Sequence, residues 1–352
     1  MKKFLLIFLI FLSGCIFQSL ERKGFSQEDL TFPSPYHVSM EEKPVANSFF
    51  PFPYSYNISW EIGKLFEGYR GAFKICIENT GRNSIFVYGF SIEIDGYREE
   101  KKEAKKILPG KKDFFIFSFK CPELGKHAYR IGMYFMVGKN DIWYDYGLKY
   151  FEKNEIEIKA CKNFSYQLYK NFYFYFDKIN KLINFNPAIY QKAIEITSKY
   201  GNGYNIAKVC AIFDYVCNNI KYVNDTDDEW NEPYTALNVG GDCEEFAMLI
   251  ASLVTSIGGT SRIYITDNHA FPTIYIGNNT SLLKCIDEYY NANLSYALFK
   301  DEFGYWLVAD ALSSFYLGGL PYGGFAAEIK ESKIYEWSIA TDKLYAIDVL
   351  KN

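Results

Sequence analysis

Residues 240–246 read Gly-Gly-Asp-Cys-Glu-Glu-Phe and lead straight into apolar residues at helical spacing. Phe246, Leu249, Ile250, Leu253, Val254 and Ile257 share one helix face, and Gly258-Gly259 supplies the stop. Asp242, with Glu245 three residues on, makes a capping box that sets Cys243 as the first helical residue. Its sulfur then lies beside free backbone N–H groups at the positive end of the helix dipole, which favours the nucleophilic thiolate. An ordinary thiol, titrating at about 8.5, is mostly protonated at neutral pH. The charges of Asp242 and Glu244 oppose the thiolate, and a buried structural cysteine is the competing reading.

A cysteine nucleophile needs a base. The chain has three histidines, His37, His127 and His269, and only His269 falls in the same half as Cys243. It heads His-Ala-Phe-Pro-Thr-Ile-Tyr-Ile (269–276), which reads as a strand start, after a short strand Arg262-Ile263-Tyr264-Ile265. Tyr305 to Asp310 is an apolar strand ending in a carboxylate, which beside an imidazole would fix its tautomer and stabilise the imidazolium. A strand-end cap on the turn at 311–313 is the alternative for Asp310, and Asp287 is a rival third member. The Cys243 amide is a natural oxyanion donor, with Trp230 or Asn238 as the other. The spacing offers no metal site: there is one histidine in this half and no Cys-x-x-Cys. Gly318-Gly319 and Gly323-Gly324 lack the Lys-Ser/Thr of a phosphate loop, so no cofactor is expected.

The order Gly-Asp-Cys-Glu-Glu-Phe-Ala, then Ser-Arg-Ile-Tyr-Ile (261–265), Asn-His-Ala-Phe (268–271) and Trp-Leu-Val-Ala-Asp (306–310) resembles the transglutaminase-like core of the papain-like cysteine protease superfamily. The resemblance implies a helix-borne Cys facing a sheet that contributes His and Asp from neighbouring strands. By position, Cys243 would be nucleophile, His269 general acid/base and Asp310 the orienting carboxylate. Two departures stand out: 26 positions separate Cys243 from His269, short for the family, and 41 separate His269 from Asp310, long for it. The excess, residues 277–304, is either a lid over the site or decoration of a sheet edge.

The elements that position these residues change character along the chain. Residues 160–352 read as α+β: Asn186-Pro187 opens a helix, and Ile206, Val209, Cys210, Phe213, Val216, Cys217 and Ile220 face one side of the next. Residues 54–159 carry period-two strands instead, such as Phe73-Ile75-Ile77 and Phe115-Phe117-Phe119, with Asp95-Gly96 as a hairpin turn. They predict an antiparallel β-sandwich that resembles immunoglobulin-like domains of exported prokaryotic proteins. His127 there is expected to be structural. Residues 16–53, with Pro33, Pro35, Pro44, Pro51 and Pro53, read as a tether.

The first fifteen residues are an address. Lys2-Lys3 precedes nine apolar residues, Phe4 to Leu12, too short a run to span a bilayer and suited to a signal peptide. Leu12-Ser13-Gly14-Cys15 resembles a prokaryotic lipobox, which implies lipidation of Cys15; an uncleaved signal anchor is the alternative. Either places the chain extracytoplasmically, on the outer face of the cell membrane. Of eight cysteines, six remain once Cys15 and Cys243 are set aside, which permits disulfides without fixing a pairing. A net charge of −4 gives no pull towards nucleic acid.

The resemblance therefore implies an exported, lipid-anchored cysteine hydrolase or acyl transferase acting on peptide or protein amides, with hydrolysis favoured over crosslinking. The alternative is a catalytically inactive surface lipoprotein that binds protein or glycan.

Overall fold

The computed structural model describes residues 40–224 and 229–351. The signal peptide, the lipobox with Cys15, His37 and the first part of the tether lie outside them.

Alternation of apolar side chains builds the N-terminal unit. One antiparallel sheet joins β1 (Tyr56–Ile62), β2 (Arg70–Asn79) and β5 (Lys112–Lys120). The other runs β4 (Tyr97–Ile107), β3 (Ser84–Ile94), β6 (Gly125–Lys139) and β7 (Ile142–Tyr150), with β8 (Asn154–Ile158) also paired to β6. Every second residue of β2 and β5, Phe73, Ile75, Ile77, Phe115, Phe117 and Phe119, meets Ile131, Met133 and Phe135 of β6 in one buried cluster. Asp95 and Gly96 both take positive φ (47° and 89°), as a two-residue hairpin turn requires. His127 locks that turn, its ring set between the Asp95 carboxylate (2.6 Å) and the Glu123 carbonyl (2.7 Å). Residues 40–53 do not run free: Asn47 and Ser48 bond the Trp143 carbonyl, and Tyr146 donates to Phe52.

The C-terminal unit is a six-stranded sheet with helices. Its strand order is β12 (Leu298–Asp301), β13 (Gly304–Val308), β11 (Ala270–Gly277), β10 (Ser261–Ile265), β16 (Lys343–Asp348), β9 (Gln167–Lys170). Only the outer β16–β9 pairing is parallel, and β14 (Gly324–Ala326) pairs antiparallel with β15 (Trp337–Ile339) as a separate ribbon. Helices α1 (Tyr173–Leu182), α2 (Pro187–Thr197), α3 (Ile206–Asn219), α4 (Pro233–Val239) and α5 (Cys243–Ser256) precede β10. Asn186 and Asn205 cap α2 and α3 by accepting from Ala188 N and Lys208 N. Helix α5 is buried on both sides: Phe246, Leu249, Ile250 and Leu253 enter the cluster that holds α3, while Ala247, Met248 and Ala251 pack with Ile263 and Ile265 of β10. A helix apolar all round is the spine of a core, and its N-terminus is thereby fixed against the sheet.

The segment 277–304 decorates the sheet edge. It supplies α6 (Leu282–Tyr290), whose Leu283 and Ile286 join the cluster of α3, and edge strand β12. Asp287 points away from His269 chemistry: it accepts from the Tyr296 hydroxyl (2.8 Å) and pairs with Lys333.

Arg262 is the fold's most committed charge. It is 3% exposed, donates to Asp348 (2.7 Å) and Asp301 (2.8 Å), and stacks 3.9 Å over Trp306. Arg262→Ala would strand two carboxylates in a dry setting. The expected loss is about 3–5 kcal/mol of stability, measured by urea unfolding.

Candidate active site

Antiparallel register assembles the site. The end of β13 lies beside the start of β11, with Thr273 opposite Val308 and the Ala309 N–H on the Pro272 carbonyl (2.9 Å). His269, just before β11, and Asp310, just after β13, thus become neighbours across 41 residues of sequence. The His269 Nε2 and Asp310 Oδ2 are 2.8 Å apart, and both residues are buried. Asp310 is held by two further donors: the Tyr322 N–H meets Oδ2 (2.9 Å) and the Leu312 N–H meets Oδ1 (3.1 Å). With Nε2 committed to the carboxylate, Nδ1 is the imidazole nitrogen left for proton exchange.

Cys243 opens α5 at its first position. The capping box is formed, the Asp242 carboxylate accepting from Glu244 N (3.3 Å) and Glu245 Oε2 accepting from Asp242 N (3.1 Å). The second Glu245 oxygen takes the Asn231 N–H (2.7 Å), tying α5 to the segment before α4. Gly240 has φ +91°, and a Cβ there would sit 2.1 Å from the Lys221 carbonyl. At Gly241 a Cβ would meet Glu245 at 2.5 Å. These glycines therefore serve the close passage of residues 221–223 and the cap itself.

Electrostatics at the sulfur run against the expectation from the helix dipole. Burial first, then the hydrogen bond to Glu244 and its charge, push the Cys243 thiol well above its ordinary range. The S–H donates to Glu244 Oε2 at 2.9 Å. The Ala270 N–H, the residue after His269, works the other way at the sulfur and marks how near β11 begins. A half-buried sulfur beside two carboxylates costs the thiolate more than one helix terminus returns. Glu244→Gln removes a charge and a strong acceptor, so it should lower the thiol pKa. Iodoacetamide should then alkylate Cys243 several-fold faster at neutral pH, read by peptide mass spectrometry.

The oxyanion candidates separate. The Cys243 amide sits at the first helical position, where no intrahelical acceptor exists. Trp230 packs in the same cluster as Cys243, its ring stacked 5.8 Å from Tyr175. Asn238 lies exposed on the last turn of α4, with its amide on the Tyr234 carbonyl (2.7 Å). Two residues escaped the sequence reading. Tyr322, 56% exposed, sets its ring 5.3 Å from that of His269, and Tyr222 lies near enough for Cys243, after partial burial, to raise its phenol pKa. Both sit in irregular chain without periodicity, so no pattern marked them.

Among the described residues, Asp242, Cys243 and Glu244 place three possible ligand atoms within 4.8 Å, all belonging to this site. All seven described cysteines are free thiols. No helix among the described residues is long and apolar enough to cross a membrane.

With this geometry in view, residues 190–311 match the core of the transglutaminase-like superfamily. No curated protein matches the chain. Among solved structures, a putative ApaA protein from Bordetella pertussis aligns at 16% identity, covering 31% of this chain and 97% of that one, with a TM-score of 0.24. A protein from Archaeoglobus fulgidus aligns at 13%, covering 30% and 97%, with a TM-score of 0.21. Likeness at that level carries no argument.

Proposed function

We propose that the chain is a cysteine-dependent amide hydrolase or acyl transferase working through Cys243, His269 and Asp310. The observation that carries this is the buried 2.8 Å contact of His269 Nε2 with Asp310 at the sheet end where the Cys243 sulfur meets the Ala270 N–H. His269 Nδ1 takes the thiol proton as sulfur attacks the amide carbonyl. The tetrahedral oxyanion rests on the Cys243 N–H, with Trp230 as the second candidate donor. Collapse breaks the C–N bond, the imidazolium returns the proton to the departing amine, and a thioester remains. Water or a second amine then attacks the thioester, and the thiol is restored.

The raised thiol pKa sets the kinetic form of this reading. Proton transfer to His269 accompanies attack and does not precede it. A glutamine-containing peptide, incubated with and without hydroxylamine, tests the proposal. Free acid measures hydrolysis and hydroxamate measures transfer; product that persists in Cys243→Ala, or its absence from wild type, contradicts the proposal.

The same observation favours a second reading, an inactive module that binds protein or glycan, because a thiol bonded to Glu244 is a poor resting nucleophile. The proposal further takes residues 54–159 as an immunoglobulin-like carrier. It places the protein on the outer face of the membrane through Cys15 or a signal anchor, acting on peptide or protein substrates.

A further inference from the structure

Among the described N-terminal residues, Lys64 sends its side chain to the turn beside Asp310. It lies in the connection between β1 and β2, anchored by buried Leu65 and Phe66 and by the Gly63 N–H on the Ala72 carbonyl (3.0 Å). Its ammonium donates to the Pro321 carbonyl and, at 3.4 Å, to the Gly324 carbonyl. Those are the two ends of one turn, closed by the Gly324 N–H on Pro321 O (2.9 Å). Inside that turn sits Tyr322, whose N–H bonds Asp310 and whose ring lies tilted 5.3 Å from that of His269. An apolar side chain would fill the same space and hold neither carbonyl.

We propose that Lys64 is a positioning residue by which the N-terminal sheets hold the Pro321–Gly324 turn, and through it the His269–Asp310 pair. This rests on the triad reading above. Burial lowers the Lys64 pKa to about 8, Asp310 pulls it back up and Lys159 adds to the lowering. Deprotonation there leaves an amine with two N–H donors, so what changes is the charge beside Asp310.

The test uses the full chain as wild type, Lys64→Met, Lys64→Arg and His269→Ala. Three readouts are taken: iodoacetamide alkylation of Cys243, the low-field imidazole N–H proton shared with Asp310, and thermal unfolding. Lys64→Met should slow alkylation roughly tenfold, as small misplacement of a reacting group does, and should shift or abolish the low-field proton. Lys64→Arg, which keeps a cation and its donors, should restore most of both. In wild type the low-field proton should move as pH rises through about 8, and in Lys64→Arg it should not. Alkylation that depends on His269 but ignores Lys64→Met, with an unmoved proton resonance, overturns the proposal alone, whatever thermal stability does. Alkylation that ignores His269 overturns the triad and this proposal together. Should Lys64→Met fail to fold, the wild-type and Lys64→Arg titrations decide, and a resonance unmoved through pH 8 in wild type counts against it.

Discussion

Replacing Cys243 by alanine is expected to lower amide turnover by about 10⁶-fold, to the level that binding and oxyanion donors alone provide. The size follows from the role. Without sulfur there is no thioester, and a direct attack by water would have to use a pocket shaped for a side chain. His269→Ala should fall nearly as far, and the double variant no further, because nucleophile and base act on the same proton. Folding should be preserved in Cys243→Ala. The side chain is half-buried and its sulfur meets the Glu244 carboxylate and the Ala270 N–H, while the cap depends on Asp242 and Glu245. Circular dichroism and thermal unfolding would separate loss of chemistry from loss of fold.

Asp310→Asn is expected to cost about 10³- to 10⁴-fold, although asparagine serves as the third member in papain-like enzymes. The reason is specific to this carboxylate. Its Oδ2 meets both His269 Nε2 and the Tyr322 N–H, and its Oδ1 meets the Leu312 N–H. Donors thus converge on both oxygens. An asparagine must turn an NH₂ toward one of them, so either Leu312 or the His269–Tyr322 side faces donor against donor. In a buried site that repulsion also costs about 1–3 kcal/mol of stability. Turnover and urea unfolding measured together check both halves; near-wild-type activity would show that the hydrogen bond, not the charge, is what His269 requires.

The contrast between what sequence showed and what it hid is physical. The capping box, the glycine stop and the apolar face of α5 are local rules, so Cys243 was placed at its helix position from spacing alone. His269 and Asp310 stood out through scarcity and strand ends, while their pairing depends on β11–β13 register, a non-local fact. Asp287 could be set aside only once α6 turned it toward Lys333 and Tyr296. The opposing charges beside Cys243 were legible, but the burial that dominates its upward shift and the hydrogen bond to Glu244 were not encoded in any spacing. Lys64 was invisible for a stronger reason. Its partners Pro321 and Gly324 lie 257 and 260 residues away, in another unit. Helix α1 and parallel strand β9 were also missed, because Tyr- and Phe-rich text near residue 170 carries neither a clean helical nor an alternating period.

The central claim is that the Cys243 proton passes to His269, and alkylation tests it without knowledge of the substrate. Burial pushes the other six described thiols upward too, Cys121 to about 12, so any preference for Cys243, whose own thiol is raised, must come from His269. Wild-type protein treated with iodoacetamide should be modified first at Cys243, and the rate should drop at least tenfold in His269→Ala. If Cys243 reacts no faster than half-buried Cys76 and Cys285, and His269→Ala changes nothing, the imidazole does not activate this sulfur and the enzyme reading fails.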